Sequence, residues 1–432
     1  RYYVGDEAFF ASLNHFLNKM KFKAAEAHDL RLSFEEITGE DLNWFFNQWY
    51  FDKGHPILHF SQSYNDSAKT LSLKVEQKQN LDQFPIFKLP ILVDIYTEGK
   101  KRRELITVTK KEQTFQFDIE KPLLVNFDAE KVLLAKKTED KSDSQWIYQL
   151  QNAPKYLDKR EALAKVKAIK DSNAVLAIFN MLGSKHKEYN RMGMAYLEGV
   201  YHSIPKELKT KLIQLSKHEN SGVRADAYKN LEGYYSEEKG HEILLTKGLE
   251  DKSYQVIGVC LEALANSNPE KAVEYAKNLE SEKSNSVKSI IAKLYSGYGT
   301  KDNHDFYLRT IPSISGFGQY GLLNQYSSFL IRMDEIELSK SNIVYKKVVE
   351  ENSTWWMRMA GYQGLLSTKN RIEQRISQIN TFIETQGNST QKSIKEREKS
   401  ELVSNLREVN LIIKSLKEKE MDQKVIDYLN NM

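Results

Sequence analysis

The residues of this 432-residue sequence best suited to hold a metal or attack a substrate are nine histidines and one cysteine. A His-Glu-x-x-His run on a helix would put two imidazoles on one side to bind a metal, with the glutamate between them as general base. No histidine here completes it. His241-Glu242-Ile243-Leu244-Leu245 has leucine where the second ligand must stand, and His218-Glu219-Asn220-Ser221-Gly222 fails at the same place. Both read as ordinary helix-end residues. His55-Pro56-Ile57-Leu58-His59 has the spacing without the glutamate, and Pro56 with the strand that follows takes it out of a helix. Extended chain would hold those two rings roughly 13 Å apart, too far to share one zinc with ligands near ~2 Å. His59 is expected to line one face of the first strand.

Gly316-Phe317-Gly318-Gln319-Tyr320-Gly321 is a literal Gly-x-Gly-x-x-Gly. A dinucleotide site needs a strand before it inside a βαβ unit, and Ile311-Pro312-Ser313-Ile314-Ser315 supplies neither, so the expectation is a turn between helices. Cys260 cannot form an intramolecular disulfide or a cysteine-based metal site, and it sits in an apolar helical face, Val256 to Leu261, as a small core residue. There is no phosphate-binding loop and no Gly-x-Ser-x-Gly nucleophile elbow. The chain by itself thus offers no catalytic residue, no metal ligand and no identifiable substrate contact.

Composition narrows the partners. Hydrophobic residues at 40% and charged residues at 28% fit a folded globular chain. A net charge of +4 against 63 basic and 59 acidic residues gives no reason to expect nucleic acid. No apolar run approaches the ~20 residues of a membrane span. The length exceeds one ordinary core, so two or three domains are expected. The first residue is Arg1 and not Met, which reads as a segment of a longer protein; compartment is not legible.

Three elements organise the beginning. Phe9, Leu13, Phe16, Leu17 and Met20 fall on one helical face; Ser33 with Glu36 three residues on announces a second helix. A third begins near Thr38 to Asp41 and carries Leu42, Phe45, Phe46 and Trp49 as an apolar stripe, ended by Gly54 and Pro56. From Ile57 the period changes to two. Ile57 to Phe60, Leu71 to Val75, Ile91 to Tyr96, Leu105 to Val108 and Phe115 to Ile119 read as strands of a small antiparallel sandwich of five to seven strands. Thr138 to Asp143 is a polar boundary, and helical periodicity runs on to the end. Val223, Val256 and Val287 recur in similar settings 33 and 31 residues apart, and Met357-Arg358-Met359-Ala360 repeats the theme, as stacked helix pairs of HEAT or armadillo type would. After about Asn370, Leu402, Leu406, Val409, Ile413 and Leu416 in a charged background read as a long amphipathic helix pair closing the solenoid, with a protruding interaction helix as the sharper reading.

Over residues 1 to about 95 the order and spacing of these pieces resemble a known family. Gly5-Asp6-Glu7-Ala8-Phe9-Phe10, Ser33 to Leu42, the aromatic helix Asn43 to Tyr50 with Gln48-Trp49, Gly54-His55-Pro56 and Val75-Glu76-Gln77-Lys78-Gln79 look like the end of the catalytic domain, and the handover beyond it, in the zinc aminopeptidases of the aminopeptidase N and leukotriene hydrolase family. The resemblance implies C-terminal helices of a thermolysin-like domain at 1–54, a β-sandwich at 55–137 and a HEAT-like helical domain at 138–432. It implies a parent protein that holds zinc through His-Glu-x-x-His and a downstream glutamate, and removes N-terminal residues from peptides by metal-activated water. This segment would bind no zinc; its partners would be the missing N-terminal and catalytic domains, and its role architectural, bounding the chamber that admits peptide. The family's tyrosine that stabilises the tetrahedral intermediate is expected upstream of Tyr2 and Tyr3 in a different setting, so neither takes that role. A scaffold that has lost its zinc ligands and binds proteins through the helical solenoid is the alternative. An epoxide hydrolase like the leukotriene-processing relatives has no support specific to these residues.

Overall fold

The computed structural model describes residues 1–169, 171–197, 204–385 and 388–431. The chain divides into two compact units, one built on residues 1–184 and the other on residues 185–197 and 206–431. In the first, α1 (Asp6–Lys19) and α2 (Ala27–Thr38) pack as a pair, followed by a single turn, α3 (Asn43–Phe46), that widens into a π-helix over Asn47–Phe51. The start of α2 differs from the expectation. Glu26 and Asp29 form its capping box, while Ser33 lies buried inside it, its hydroxyl donating to the Asp29 carbonyl at 2.8 Å. Gly39, in the left-handed conformation, ends α2, which delays the next helix from Thr38 to Asn43.

The aromatic stripe divides its burial between two cores. Leu42 and Phe46 close a cluster with Phe34, against which Val4, Phe9, Leu13 and Leu30 pack. Leu17, expected on that buried face, is 66% exposed. Trp49 turns the other way and joins the core of the sheets, its ring 5.5 Å from Phe87. Gln48 fixes the handover by accepting from Lys88 N at 2.6 Å and donating to Lys88 O at 3.1 Å. Gly54 has φ +91°, and a Cβ there would stand 2.4 Å from the Phe84 ring, so both backbone and space require glycine.

Seven strands follow: β1 (Ile57–Asn65), β2 (Thr70–Gln77), β3 (Leu89–Thr97), β4 (Lys100–Val108), β5 (Glu112–Asp118), β6 (Leu124–Phe127) and β7 (Lys136–Glu139). They form two sheets, ordered β5-β2-β1-β7 and β4-β3-β6. One apolar cluster draws on both, with Leu58, Phe60, Leu73 and Val75 from the first and Ile91, Val93, Ile106 and Phe127 from the second. The pairing is not wholly antiparallel, because β7 runs parallel to β1, Ile57 opposite Lys136 and Phe60 opposite Glu139. Lys136-Lys137-Thr138-Glu139 has no apolar alternation, which is how an edge strand discourages further pairing and why it reads as a linker. Ser142 at the end of that polar run caps α4 (Asp143–Asn152) in a capping box with Gln145.

A buried ionic network joins the sheets to α4 and α5 (Tyr156–Val166). Lys131 Nζ lies 2.9 Å from Asp158 and 2.9 Å from Glu161, and also donates to Asn126 Oδ1 and Phe127 O at 3.2 Å. Asp158 additionally accepts from Asn126 Nδ2 and from Lys155 N at the start of α5. Burial alone would lower the Lys131 ammonium, but the Glu161 and Asp158 carboxylates outweigh it and hold its pKa above the ordinary range. A short α6 (Ser172–Phe179) packs on α4.

The second unit is all helix among its described residues: α7 (Lys187–Leu197), α8 (Leu208–Leu215), α9 (Ser221–Tyr235), α10 (His241–Gly248), α11 (Tyr254–Ser267), α12 (Pro269–Asn278), α13 (Asn285–Tyr298), α14 (His304–Thr310), α15 (Gly316–Ile331), α16 (Glu335–Ser339), α17 (Ser341–Glu351), α18 (Trp355–Thr385), α19 (Ser389–Lys417) and α20 (Gln423–Asn430). Helices α9, α11, α13 and α15 pack side by side as a row, with α8, α10 and α12 set against them. The recurring residues share one register: Val223, Val256, Val287 and Met357 are each the third residue of their helix and each is buried. The following arginines repeat a bonding pattern. Arg224 donates to the carbonyls of His218 and Glu219 and pairs with Asp251; Arg358 donates to those of Asn352 and Ser353 and pairs with Glu420. Helices α18 and α19 form the long pair, with Ile372, Ile379 and Leu402 between them.

Removing one partner from a buried ion pair leaves a desolvated charge, at a cost of about 3–5 kcal/mol. Asp158→Asn is therefore expected to lower the urea stability of the first unit by about 3 kcal/mol, and Glu161→Gln, at a half-buried position, by clearly less. Equal losses in the two variants would show that Asp158 does not anchor the network.

Candidate functional site

The histidines singled out in the sequence do not converge. His59 lies on β1, with Nδ1 3.0 Å from Thr138 Oγ1 and Nε2 3.2 Å from Asp140 Oδ2, while His55 is exposed in the segment before the strand. His218 Nδ1 accepts from Asn220 N at 3.0 Å just before α9. His241 opens α10 and places Nε2 2.7 Å from Glu232, while the neighbouring Glu242 pairs with Lys271. Among the described residues no three His, Cys, Asp or Glu side chains are placed to hold one metal ion. Cys260 is buried on α11, where desolvation pushes its thiol up to about 12, and a Cβ on Gly248 would stand 2.2 Å from its sulfur.

The glycine motif has a different setting from the one expected. Gly316 to Gly321 form the first turns of α15 and not a turn between helices; Gly316, at φ +64°, follows Ser315 at the N-cap. The segment before it is the 3₁₀ turn Ile311–Ser313, so no strand feeds the motif.

A buried histidine the sequence did not single out is the most constrained polar group. His304, at the start of α14, lies 2.6 Å through Nδ1 from Glu337 and 2.5 Å through Nε2 from the Tyr326 hydroxyl. With the imidazole neutral, Nδ1–H donates to the carboxylate and Nε2 accepts from the phenol. Desolvation holds its pKa below the usual 6.5, although Glu337 pulls the other way. His304 and Tyr326 are buried and Glu337 meets the surface beside Lys340, 2.7 Å away, which makes the chain of groups a core device and not a reactive triad.

Among the described residues, two solvent-reached recesses bear on the handover and on the helical row. In the first unit, Tyr2, Tyr3, Trp44, Trp49, Lys88 and Pro90 contribute to a recess of about 220 Å³. Tyr3 meets Trp44 edge-on at 5.4 Å and Lys88 Nζ sits 4.4 Å above the Trp44 ring, so both tyrosines dress the aromatic handover. In the second unit, a groove of about 380 Å³ runs across α9, α11 and α13. Lys229, Glu262 and Lys293 cross it from successive helices, Lys293 pairing with Glu262 at 2.8 Å and Asn266 reaching Glu232 at 3.1 Å. The carboxylates of this row are engaged with neighbouring side chains, Glu262 with Lys293 and Glu232 with His241 and Asn266, and the described lining contains no nucleophile activated by a base. Sequence reasoning missed this row, yet its signal is present: each of the three residues stands six places after a repeated valine.

Comparison with known proteins gives the chain a context. No family model matches the chain. A stretch of 116 residues is 28% identical to a probable aminopeptidase 1 of Sulfurisphaera tokodaii, covering 27% of this chain and 14% of that protein. A leucyl aminopeptidase of Saccharolobus solfataricus matches at 28% over 127 residues and an aminopeptidase N of Escherichia coli at 25% over 130, each across 15% of its own length. The chain resembles aminopeptidases. In fold, it is similar to Legionella pneumophila aminopeptidase A, solved in complex with aspartic acid, with a TM-score of 0.52 and 13% identity over 93% of this chain and 55% of that one.

The His304 arrangement carries a pH dependence of known sign. An imidazole held neutral when folded, and free to protonate when unfolded, makes stability fall as pH drops below about 6.5. Urea titrations of the second unit between about pH 7 and 5 are expected to show that loss, and His304→Gln to flatten it; a slope unchanged by the substitution would contradict the assignment.

Proposed function

We propose that this chain is the C-terminal part of a zinc-dependent aminopeptidase that removes N-terminal residues from peptides, and that its own contribution is architectural. The observation that carries the reading is the joint one: sequence similarity to several aminopeptidases, and a fold match that takes in nearly the whole chain but only about half of its neighbour. In this reading residues 1–54 are the last helices of a thermolysin-like domain, 55–137 a β-sandwich and 138–432 a HEAT-like domain. The exposed Phe10, Leu17, Phe22, Tyr50 and Phe51 support the first part, since apolar side chains left in water are fit to be covered by the body of a catalytic domain. The single cluster shared by both sheets supports the second, and the shared register of Val223, Val256, Val287 and Met357 the third.

The described residues do not fit a zinc centre of their own, so the metal would be held by residues of the parent protein outside this chain. What these residues supply is a wall. The row across α9, α11 and α13 lines a groove with side chains that pair with one another and with nothing that would attack a peptide. Closer packing within that row than among α8, α10 and α12 on its other side favours its being the inner, concave side of a curved stack.

The complete protein is expected to carry near one zinc per chain and to release chromogen from aminoacyl amides in a chelator-sensitive manner, whereas residues 1–432 alone release none. A complete protein with neither zinc nor turnover would overturn the reading in favour of a non-catalytic scaffold. Turnover by residues 1–432 alone would contradict the architectural role.

A further inference from the structure

Residues 311–331 contain no Asp, Glu, Lys, Arg or His, in a chain that is 28% charged. Most of that stretch is α15, whose outward side presents Phe317, Tyr320, Asn324, Ser327 and Ile331 in one line. Phe317 is 85% exposed and Ile331 is 74% exposed. An apolar ring left in water at a position free to be polar is an unfavourable arrangement unless something covers it.

The rings are arranged, not scattered. Phe317 stacks on Trp356 of α18 with centroids 5.4 Å apart, and Tyr320 meets the same indole edge-on at 5.6 Å. Beyond them a recess of about 280 Å³ runs between α15 and α18, with Asn324, Ser327, Gln363 and Ser367 on its walls and the Tyr345 ring at Gly364. Its one charged lining group, Arg371, is already spent on the carbonyls of Leu330 and Met333 and on Glu335. Among the described residues no carboxylate lines the recess.

We propose that this groove docks an uncharged, proline-rich extended segment of a partner protein. A polyproline II strand is stiff before it binds, presents pyrrolidine rings to aromatic faces, and leaves its carbonyls unpaired for side-chain donors. The aromatic trio supplies the faces, and the amides of Asn324 and Gln363 with the hydroxyl of Ser367 supply the donors, the Ser327 hydroxyl being given already to the Leu323 carbonyl. The missing charge sets the selectivity: an acidic or basic side chain entering here would lose hydration with nothing to pair it. A neutral glycan, whose hydroxyls both donate and accept, is the rival occupant that the test has to exclude.

Calorimetric titration of residues 1–432 with a polyproline peptide tests this. Saturable one-to-one binding is expected, weakened about tenfold or more by Phe317→Ala, whose exposed ring leaves folding unaffected. Asn324→Asp, also on an exposed position, is expected to weaken it while leaving the circular dichroism unchanged, and a peptide with glutamates at its centre is expected not to bind the native groove. No binding of polyproline, binding indifferent to both substitutions, displacement by a neutral oligosaccharide, or sedimentation showing that a second copy covers Phe317 would each overturn the proposal.

Discussion

The Lys131 ammonium is the interaction on which the first unit depends. It is almost wholly enclosed and reaches carboxylates on α5 from a turn that follows β6, so the sheets and the helices beyond them share one buried charge. The turn that delivers it is itself unfavourable: Asp128 has φ +50° and Lys131 φ +57°, left-handed conformations that cost non-glycine residues on the order of 1–3 kcal/mol when the surroundings do not impose them. The same side chains offset that cost. Asp128 accepts from Val132 N at 2.9 Å and pairs with Lys137 on β7, and Lys137 in turn reaches Glu161. A second buried lysine, Lys141, continues the theme between Glu139 and Gln149 over the Trp146 ring, with desolvation lowering its pKa. Charge, not apolar contact alone, fixes where α4 and α5 sit on the sheets.

The second unit solves its packing by repetition. Valine or methionine at the third position of α9, α11, α13 and α18 anchors each helix in the core. At α9 and α18 the next residue is an arginine that ties down the turn before the helix and borrows a distant carboxylate, Asp251 or Glu420. A register kept this strictly also places chemically comparable positions in line along the row, which is why Lys229, Glu262 and Lys293 face one groove. The wall proposed to bound a peptide chamber is thus a by-product of how the helices stack.

What was legible followed from apolar periodicity. Five strands, the first helix, the long terminal pair and the core places of Leu402, Val409, Ile413 and Cys260 were readable because burial repeats with the period of the element. What was missed lacked that signal. Strand β7 is Lys-Lys-Thr-Glu and pairs in parallel with β1 through its backbone, which periodicity cannot see. The capping box at Ser33 and Glu36 satisfied a local pattern that Glu26 and Asp29 satisfy earlier in the chain. The aromatic stripe marks a helix that must be covered, with Leu42 and Phe46 buried and Phe45 and Trp49 partly so, but the π-helix that sends Trp49 into the sheets' core while Phe46 stays with the helices has no sequence mark. The candidate groove was missed because its residues lie far apart and only the valine register links them.

If the helical unit limits access to an aminopeptidase chamber, the complete protein must discriminate by the size of what it is offered. The direct measurement is the rate of N-terminal residue release from a short peptide and from a folded protein that begins with the same residues on a flexible stretch too short to span the chamber. The account predicts steady release from the peptide and almost none from the folded protein. Comparable rates on both would contradict it.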